Sequence, residues 1–296
     1  YWLYTFIVAS CSISLIHIEK CLHGLILGTF FICIGYSFPF FSKYLPSNYI
    51  HTSLLIVFAI SLLSFYFSGV KNLRERFFLL LLIMFFLITL IFKCPGKTGY
   101  FTFISLLPIV LKNILGEKKS FFHYLGFLIF IFFLFFTSSL ARKKMVSILT
   151  GINEYRKNNP NTSIGERINM WQGAIKIFID HPLIGVGTGG YLREMKKYTH
   201  PNLKNREFIE YSHPHNGYLY LMANFGLLGL FSFIWLLYVF LKKGLKFKNN
   251  FLGFSIFIFA LILIISNLTN TEVFNYPIGI IFSVLMGIPL EKSNLQ

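Results

Sequence analysis

Two histidines one residue apart, His213 and His215, stand in "YSHPHNGYLYL", with Asn216 directly after them and a long apolar run behind. An imidazole titrates near neutral pH and can take a proton from a hydroxyl nucleophile, which makes His215 a candidate general base. Asn216 is placed to orient that ring or to hold a sugar hydroxyl. The pair also reads as the cap of the helix that follows, because Asn is a favoured N-cap. The sequence leaves both readings open. His-x-His spacing raises zinc, but a zinc site needs three or four ligands. His181 and His200, the other histidines of the same loop, add no H-E-x-x-H spacing, so no metal is expected.

A second group of residues is basic: Arg142, Arg156, Arg167, Arg193 and Arg206. Singly, each reads as a solvated charge or a contact to a lipid headgroup. Together they form a basic surface suited to an anionic head such as a pyrophosphate, whose oxygens Arg grips with a two-pronged fork that Lys lacks. Arg142 closes an apolar run ("TSSLARKK") and Arg167 falls in a predicted capped helix, so these two are the best positioned. Lys97, in "KCPGKTGY", is a further cation near a span entrance, or a side chain that snorkels. His213, Asn216, Lys97 and Arg193 are assigned to substrate binding.

The elements that must hold these groups are membrane helices. The chain has 296 residues, 55% of them hydrophobic and 37 of them Phe, with only 13% charged; soluble domains average about 25% charged. Apolar runs recur near 1–18, 21–41, 50–69, 77–92, 100–115, 121–140, 216–241, 251–267 and 273–290. The expectation is an all-α polytopic membrane protein with about nine transmembrane helices. A formal charge of +16 would suggest nucleic acid on a soluble protein. Here the bias of Lys and Arg toward cytoplasmic loops is the first explanation to test, and no nucleic-acid partner is expected. Cys11, Cys21, Cys33 and Cys94 show no C-x-x-C spacing and read as small core residues. The chain begins at Tyr1 inside an apolar run, and a preceding portion is expected.

Alternate short connections are basic or mixed: "EK" at 19–20, "KNLRER" at 71–76, "GEKKS" at 116–120 and "KKGLKFKNN" at 242–250. Assigning these to the cytoplasm puts residues 141–215 outside, in a periplasm if there is one. The chain therefore divides into helices 1–6 (1–140), a large partly helical loop (141–215) and helices 7–9 (216–296). In the loop "SIGE" predicts a capping box on Ser163 and Glu166, opening an amphipathic helix near 164–179. Ile164, Ile168, Trp171, Ile175 and Phe178 form its apolar stripe, with Arg167 beside it. The helix ends at "DHP" and "GVGTGG" makes a tight turn, with positive φ predicted. The loop is expected to lie on the membrane surface or pack against the spans. Gly226 and Gly229 read as small residues for close helix packing.

"HN", nine residues and then "GLLG" (His215, Asn216, Gly226, Gly229) resembles the signature of bacterial O-antigen ligases and the related O-antigen polymerases. "SIGERINMWQGAIKIFIDHPLIGVGTGGY" (163–191) is similar to that family's loop pattern: Ser-x-x-x-Arg-x-x-x-Trp, an amphipathic helix, then His-Pro-Leu-x-Gly-x-Gly. The resemblance covers about 140–232 in specific residues. It implies a membrane-embedded glycosyltransferase that takes its glycan from undecaprenyl pyrophosphate and needs no nucleotide sugar, cofactor or metal. A ligase passes the glycan to a sugar hydroxyl of lipid A core, a polymerase to another lipid-linked glycan. In that scheme His215 activates the acceptor hydroxyl, while Arg142 and Arg167 neutralise the departing pyrophosphate. Relatives often carry Arg where Lys97 stands, and they have more spans than are counted here.

One dominant outer loop favours the ligase, since polymerases commonly show two. A transporter of lipid-linked glycans is the alternative of another class. Intramembrane ionisable residues, which mark transport paths, are scarce here. The expected location is the inner membrane, among membrane lipids, with the active site facing the periplasm.

Overall fold

The computed structural model of the chain describes residues 15–37, 49–94, 96–116, 121–203, 213–272 and 275–288. Among them the regular elements are helices: α1 (Leu15–Ser37), α2 (Tyr49–Gly69), α3 (Leu73–Phe92), α4 (Lys97–Leu115), α5 (Phe121–Thr137), α6 (Ser139–Arg156), α7 (Ser163–Asp180), α8 (Gly190–Met195), α9 (Gly217–Lys246), α10 (Phe251–Ser266) and α11 (Tyr276–Met286), with a 3-10 turn at Lys196–Tyr198. Within the described residues α1, α2, α3, α4 and α9 are long and apolar enough to cross a membrane. The pair α5 and α6, broken at Ser138, adds a sixth if it is one bent span. The chain is a multi-pass, all-helical membrane protein. Nine full crossings are not what these residues show. The expected first span lies mostly outside the described residues, and α10 and α11, of 16 and 11 residues, fall short of the ~20 that cross a bilayer alone.

The chain divides into two compact units. One comprises Tyr1–Lys143, Phe240–Ile262 and Tyr276–Gln296. Its centre is α2, against which α1, α3 and α4 pack. Among the buried residues of α2 are Thr52, Ser53, Ser61 and Ser64. Such hydroxyls need internal partners where no water reaches. Ser61 Oγ donates to Val57 O at 2.9 Å and Ser64 Oγ to Ser61 O at 2.7 Å. Ser64 Oγ also accepts from Asn113 Nδ2 of α4 at 3.1 Å. Close approach is set by Gly99, where a Cβ would lie 2.2 Å from Ser53 Oγ. The apolar residues left exposed on α3 and α5, such as Phe77, Phe78, Phe132 and Phe133, suit a lipid-facing surface.

The other unit comprises Lys144–Val239 and Leu263–Asn275. The predicted cap of α7 is off by one residue. Thr162, in extended backbone, is the N-cap, and its Oγ1 accepts from Gly165 N at 3.0 Å. The buried face also differs from the predicted stripe: it is Gly165, Asn169, Met170, Gly173, Ala174 and Ile177, whereas Ile175 is exposed. Small residues win this face because neighbours come too close for large ones. A Cβ on Gly173 would sit 2.2 Å from Met195 Sδ, and one on Gly165 2.5 Å from Pro160 O. Met170, Ala174 and Ile177 form a core with Tyr191, Met195, Leu203 and Ala223.

Helix α9 is two helices joined at Gly226, whose φ of 62° and ψ of −154° no other residue type adopts readily. A break there removes the bonds from Leu227 N to Ala223 O and from Leu228 N to Asn224 O. The turn after α7 supplies a partner for each of the four freed groups. Val186 N donates to Ala223 O at 3.0 Å and Gly187 N to Asn224 O at 2.8 Å. Leu227 N donates to Pro182 O at 2.8 Å and Leu228 N to Leu183 O at 3.3 Å. The buried Asn224 side chain ties the joint further, accepting from Tyr191 N at 3.3 Å and donating to Tyr220 O at 2.9 Å. Gly226 therefore does not serve helix–helix packing, as its sequence context predicts. It admits a loop into a broken helix.

Gly226→Ala is expected to destabilise the protein by about 1–3 kcal/mol or more, since strain at a glycine-only conformation costs that much and the new Cβ would meet Leu183 C and O at 2.4 Å. Gly126→Ala, in α5, meets nothing within 4 Å and is expected to hold stability or raise it by up to about 1 kcal/mol. Thermal unfolding of both variants in detergent checks the pair.

Candidate functional site

Three segments of the second unit build the site: residues 213–217 leading into α9, residues 267–272 after α10, and the first turns of α7. The residue run "NLTNTE" (267–272) acts as a cradle. Gly217 N donates to Asn267 O at 2.8 Å and to Asn270 O at 3.1 Å, and a Cβ on Gly217 would lie 2.1 Å from Asn267 Oδ1. Glu272 N donates to Asn267 Oδ1 at 3.2 Å. From α7, Trp171 Nε1 donates to Pro214 O at 2.8 Å and Arg167 to Thr269 O at 3.1 Å. His215 itself has φ of 49°, a left-handed conformation uncommon outside glycine. Strain of that kind persists where the surroundings over-determine it.

With Glu272 ionised, the hydrogen-bond network assigns the two imidazoles opposite tautomers. His213 Nδ1 accepts from His215 N at 3.3 Å and faces Thr271 Oγ1 at 3.3 Å, so its proton is on Nε2. His215 Nδ1 lies 2.9 Å from Asn270 Oδ1, while Asn270 Nδ2 donates to Glu272 Oε1 at 2.5 Å. An ionised Glu272 only accepts, so it turns the amide oxygen toward His215, and His215 Nδ1 must carry its proton. His215 Nε2 is then left with a lone pair. One ring presents a donor and the other an acceptor, with centroids 4.4 Å apart.

Electrostatics agrees with that division. Burial lowers the His213 pKa to about 4, with His215 and Arg167 adding to the effect. Burial also lowers His215; its bond to Asn270 opposes the shift and the charge of Arg167 reinforces it. Both rings are therefore neutral at pH 7. Burial pushes the Glu272 carboxyl up to about 7, against the hydrogen bonds from Asn270 and Asn275. Arg167 is charged and half-buried, and its partial desolvation lowers its pKa. Among the described residues no carboxylate forms an ion pair with it, and a half-buried guanidinium so placed favours an arriving anion.

The structure thus brings together His213, His215, Asn216 and Arg167. The Asn216 side chain is committed to the fold: Oδ1 accepts from Leu219 N at 3.0 Å, as an N-cap does, and Nδ2 donates to Leu268 O at 3.1 Å. Arg193 lies on α8, exposed, 3.5 Å from its neighbour Glu194. Lys97, the first residue of α4, and Arg142, in the first turn of α6 with its guanidinium donating to Phe136 O, belong to the other unit. Arg206 lies outside the described residues. Sequence reasoning missed Asn267, Thr269, Asn270, Thr271 and Glu272. Their signal was a polar run, "NLTNTE", between two apolar ones.

Side-chain nitrogen NMR of the histidines in lipid nanodiscs tests this arrangement. At pH 8, where Glu272 is ionised, His215 is expected as the Nδ1–H tautomer and His213 as Nε2–H, both neutral. Two rings that charge together near pH 6.5 would contradict it.

Over 98 residues the chain is 31% identical to an uncharacterized protein of Haemophilus influenzae, covering 32% of this chain. The alignment takes in 22% of that relative, so the chain spans about a fifth of its length. Residues 50–234, well over half the chain, match the family described as O-antigen ligase, and they include α7, the Gly226 joint and the His213–Asn216 turn. The chain belongs to the O-antigen ligase family, a family of membrane glycosyltransferases of the ligase and polymerase type.

Proposed function

We propose that the chain moves a glycan from undecaprenyl pyrophosphate to a sugar hydroxyl of lipid A core at the periplasmic face of the inner membrane, with inversion at the anomeric carbon. The observation that carries this reading is His215, its Nδ1 held by Asn270 Oδ1 at 2.9 Å, within reach of the charge of the half-buried Arg167. The acceptor oxygen attacks the anomeric carbon as its proton passes to His215 Nε2. The bond from that carbon to the pyrophosphate breaks, and its electron pair leaves with the undecaprenyl pyrophosphate. One displacement inverts the centre. Arg167 stabilises the charge gathering on the leaving group. Glu272, through Asn270, holds His215 in the tautomer that accepts the proton. His213 Nε2–H is available to a sugar or phosphate oxygen. Arg142, Lys97 and Arg193 are proposed as further contacts to the anionic donor on their charge alone.

A strain deleted for this gene tests the reading. Unmodified lipid A core, with long glycan stranded on undecaprenyl, is the expected result. Core bearing a single repeat would assign the polymerase instead, and an unchanged profile would favour the transporter. Complementation with His215→Ala is expected to lose about 10²–10⁴-fold in transfer and Arg167→Ala about 10²–10³-fold, with normal protein levels. Arg167→Lys is expected to stay well below the parent, because Lys cannot reproduce the fork. Near-normal transfer by both alanine variants would remove the site.

A further inference from the structure

The joint at Gly226 also divides α9 by exposure. From Gly217 to Leu227 every residue is buried or half-buried; from Leu228 onward Phe231, Ile234, Trp235 and Tyr238 are exposed and apolar. The lower part alone, Leu227 to Lys246, rises about 30 Å at 1.5 Å per residue, which matches the hydrocarbon thickness of a bilayer. It ends among Lys242, Lys243 and Lys246, as the cytoplasmic end of a span should. The turn bonded to the joint shares the exposed apolar surface. Leu183 is 66% exposed and Ile184 70%, beside Leu228 at 64%. On α7, Ile175 and Ile179, one turn apart, extend that surface to the turn. Leu183 and Ile184 on the turn, with Ile175 and Ile179 at the end of α7, are large apolar side chains that water solvates unfavourably. They are continuous, through the bond from Leu228 N to Leu183 O, with the lipid-facing side of α9.

We propose that the turn Pro182–Ile184, with the end of α7, is seated in the outer hydrocarbon of the bilayer, and that the Gly226 joint marks the membrane surface. The large outer loop is then an anchored domain rather than a tethered one. The upper part of α9, residues 217–225, stands above the hydrocarbon and rises about 14 Å, while a headgroup layer is about 5–8 Å deep. His215 is thereby held about 6–9 Å above the outer edge of the headgroups, at a height fixed by a rigid two-turn post. The partner is lipid acyl chain, and the inference does not depend on the reaction proposed above.

Spin labels read depth directly, because oxygen concentrates in hydrocarbon and a neutral nickel chelate is excluded from it. The full chain, with Cys11, Cys21, Cys33 and Cys94 replaced by Ala, is reconstituted in phosphatidylethanolamine–phosphatidylglycerol vesicles. Single labels are placed at Leu183→Cys, Ile184→Cys, Leu228→Cys and Lys157→Cys. The first three positions carry exposed side chains, so labelling leaves the packing intact. Labels at 183, 184 and 228 are expected to relax more with oxygen than with nickel, and the label at 157 the reverse. Labels at 183 and 184 that behave like the one at 157 would overturn the proposal. So would a label at 228 that reads as aqueous.

Discussion

A helix cannot be interrupted in or beside a membrane unless the backbone groups it releases find partners. In α9 the interruption at Gly226 releases two carbonyls and two amides, and the turn at 182–187 answers all four. The positive φ angles of Gly185 and Gly226 let the two backbones come within contact distance, where a Cβ on either would collide. Asn224, fully buried, locks the same joint to Tyr191. Because α7 ends at this turn, the joint fixes where α7 lies. Because α9 begins nine residues above it, the joint also fixes where the His-x-His turn stands.

The site inherits its order from that joint. Arg167 and Trp171 reach from α7 to the segments 269 and 214, so the guanidinium and the imidazoles are positioned by one rigid neighbour. The chemistry comes from desolvation acting on each group differently. Two imidazoles stay neutral, a carboxyl is brought to the edge of titration near pH 7, and a guanidinium keeps its charge. In the proposed reaction the neutral base deprotonates a hydroxyl and the half-buried cation beside it receives the departing anion.

Much of this was legible in the sequence, in parts. Helix periodicity and apolar runs located most elements, and His213, His215 and Arg167 stood out by type and neighbourhood. What the sequence hid were facts set by the third dimension. The cap of α7 shifted to Thr162 because its extended backbone starts the helix one residue earlier than the Ser-x-x-Glu pattern suggests. The stripe Ile164–Phe178 misplaced the buried face because close contacts with Met195 and Pro160 select glycine and alanine. Gly226 read as a packing residue because a glycine in an apolar run gives no hint of the loop that enters there. Asn270 and Glu272, 55 and 57 positions after His215, have no local signal connecting them to it; only the fold of α9 back through α10 brings them together.

In the proposed mechanism Glu272, through Asn270, holds His215 as a proton acceptor. When Glu272 is protonated it donates to Asn270 Oδ1, the amide turns its Nδ2 toward His215, and the ring shifts its proton to Nε2, where it no longer acts as a base. The direct measurement is the pH dependence of kcat/KM for transfer by the full chain in nanodiscs, with lipid-linked glycan and a core acceptor. In the parent protein activity is expected to rise through pH 7 as Glu272 ionises. Glu272→Gln is expected to lack that rise and to turn over slowly at every pH. An unchanged rise in Glu272→Gln would contradict the account.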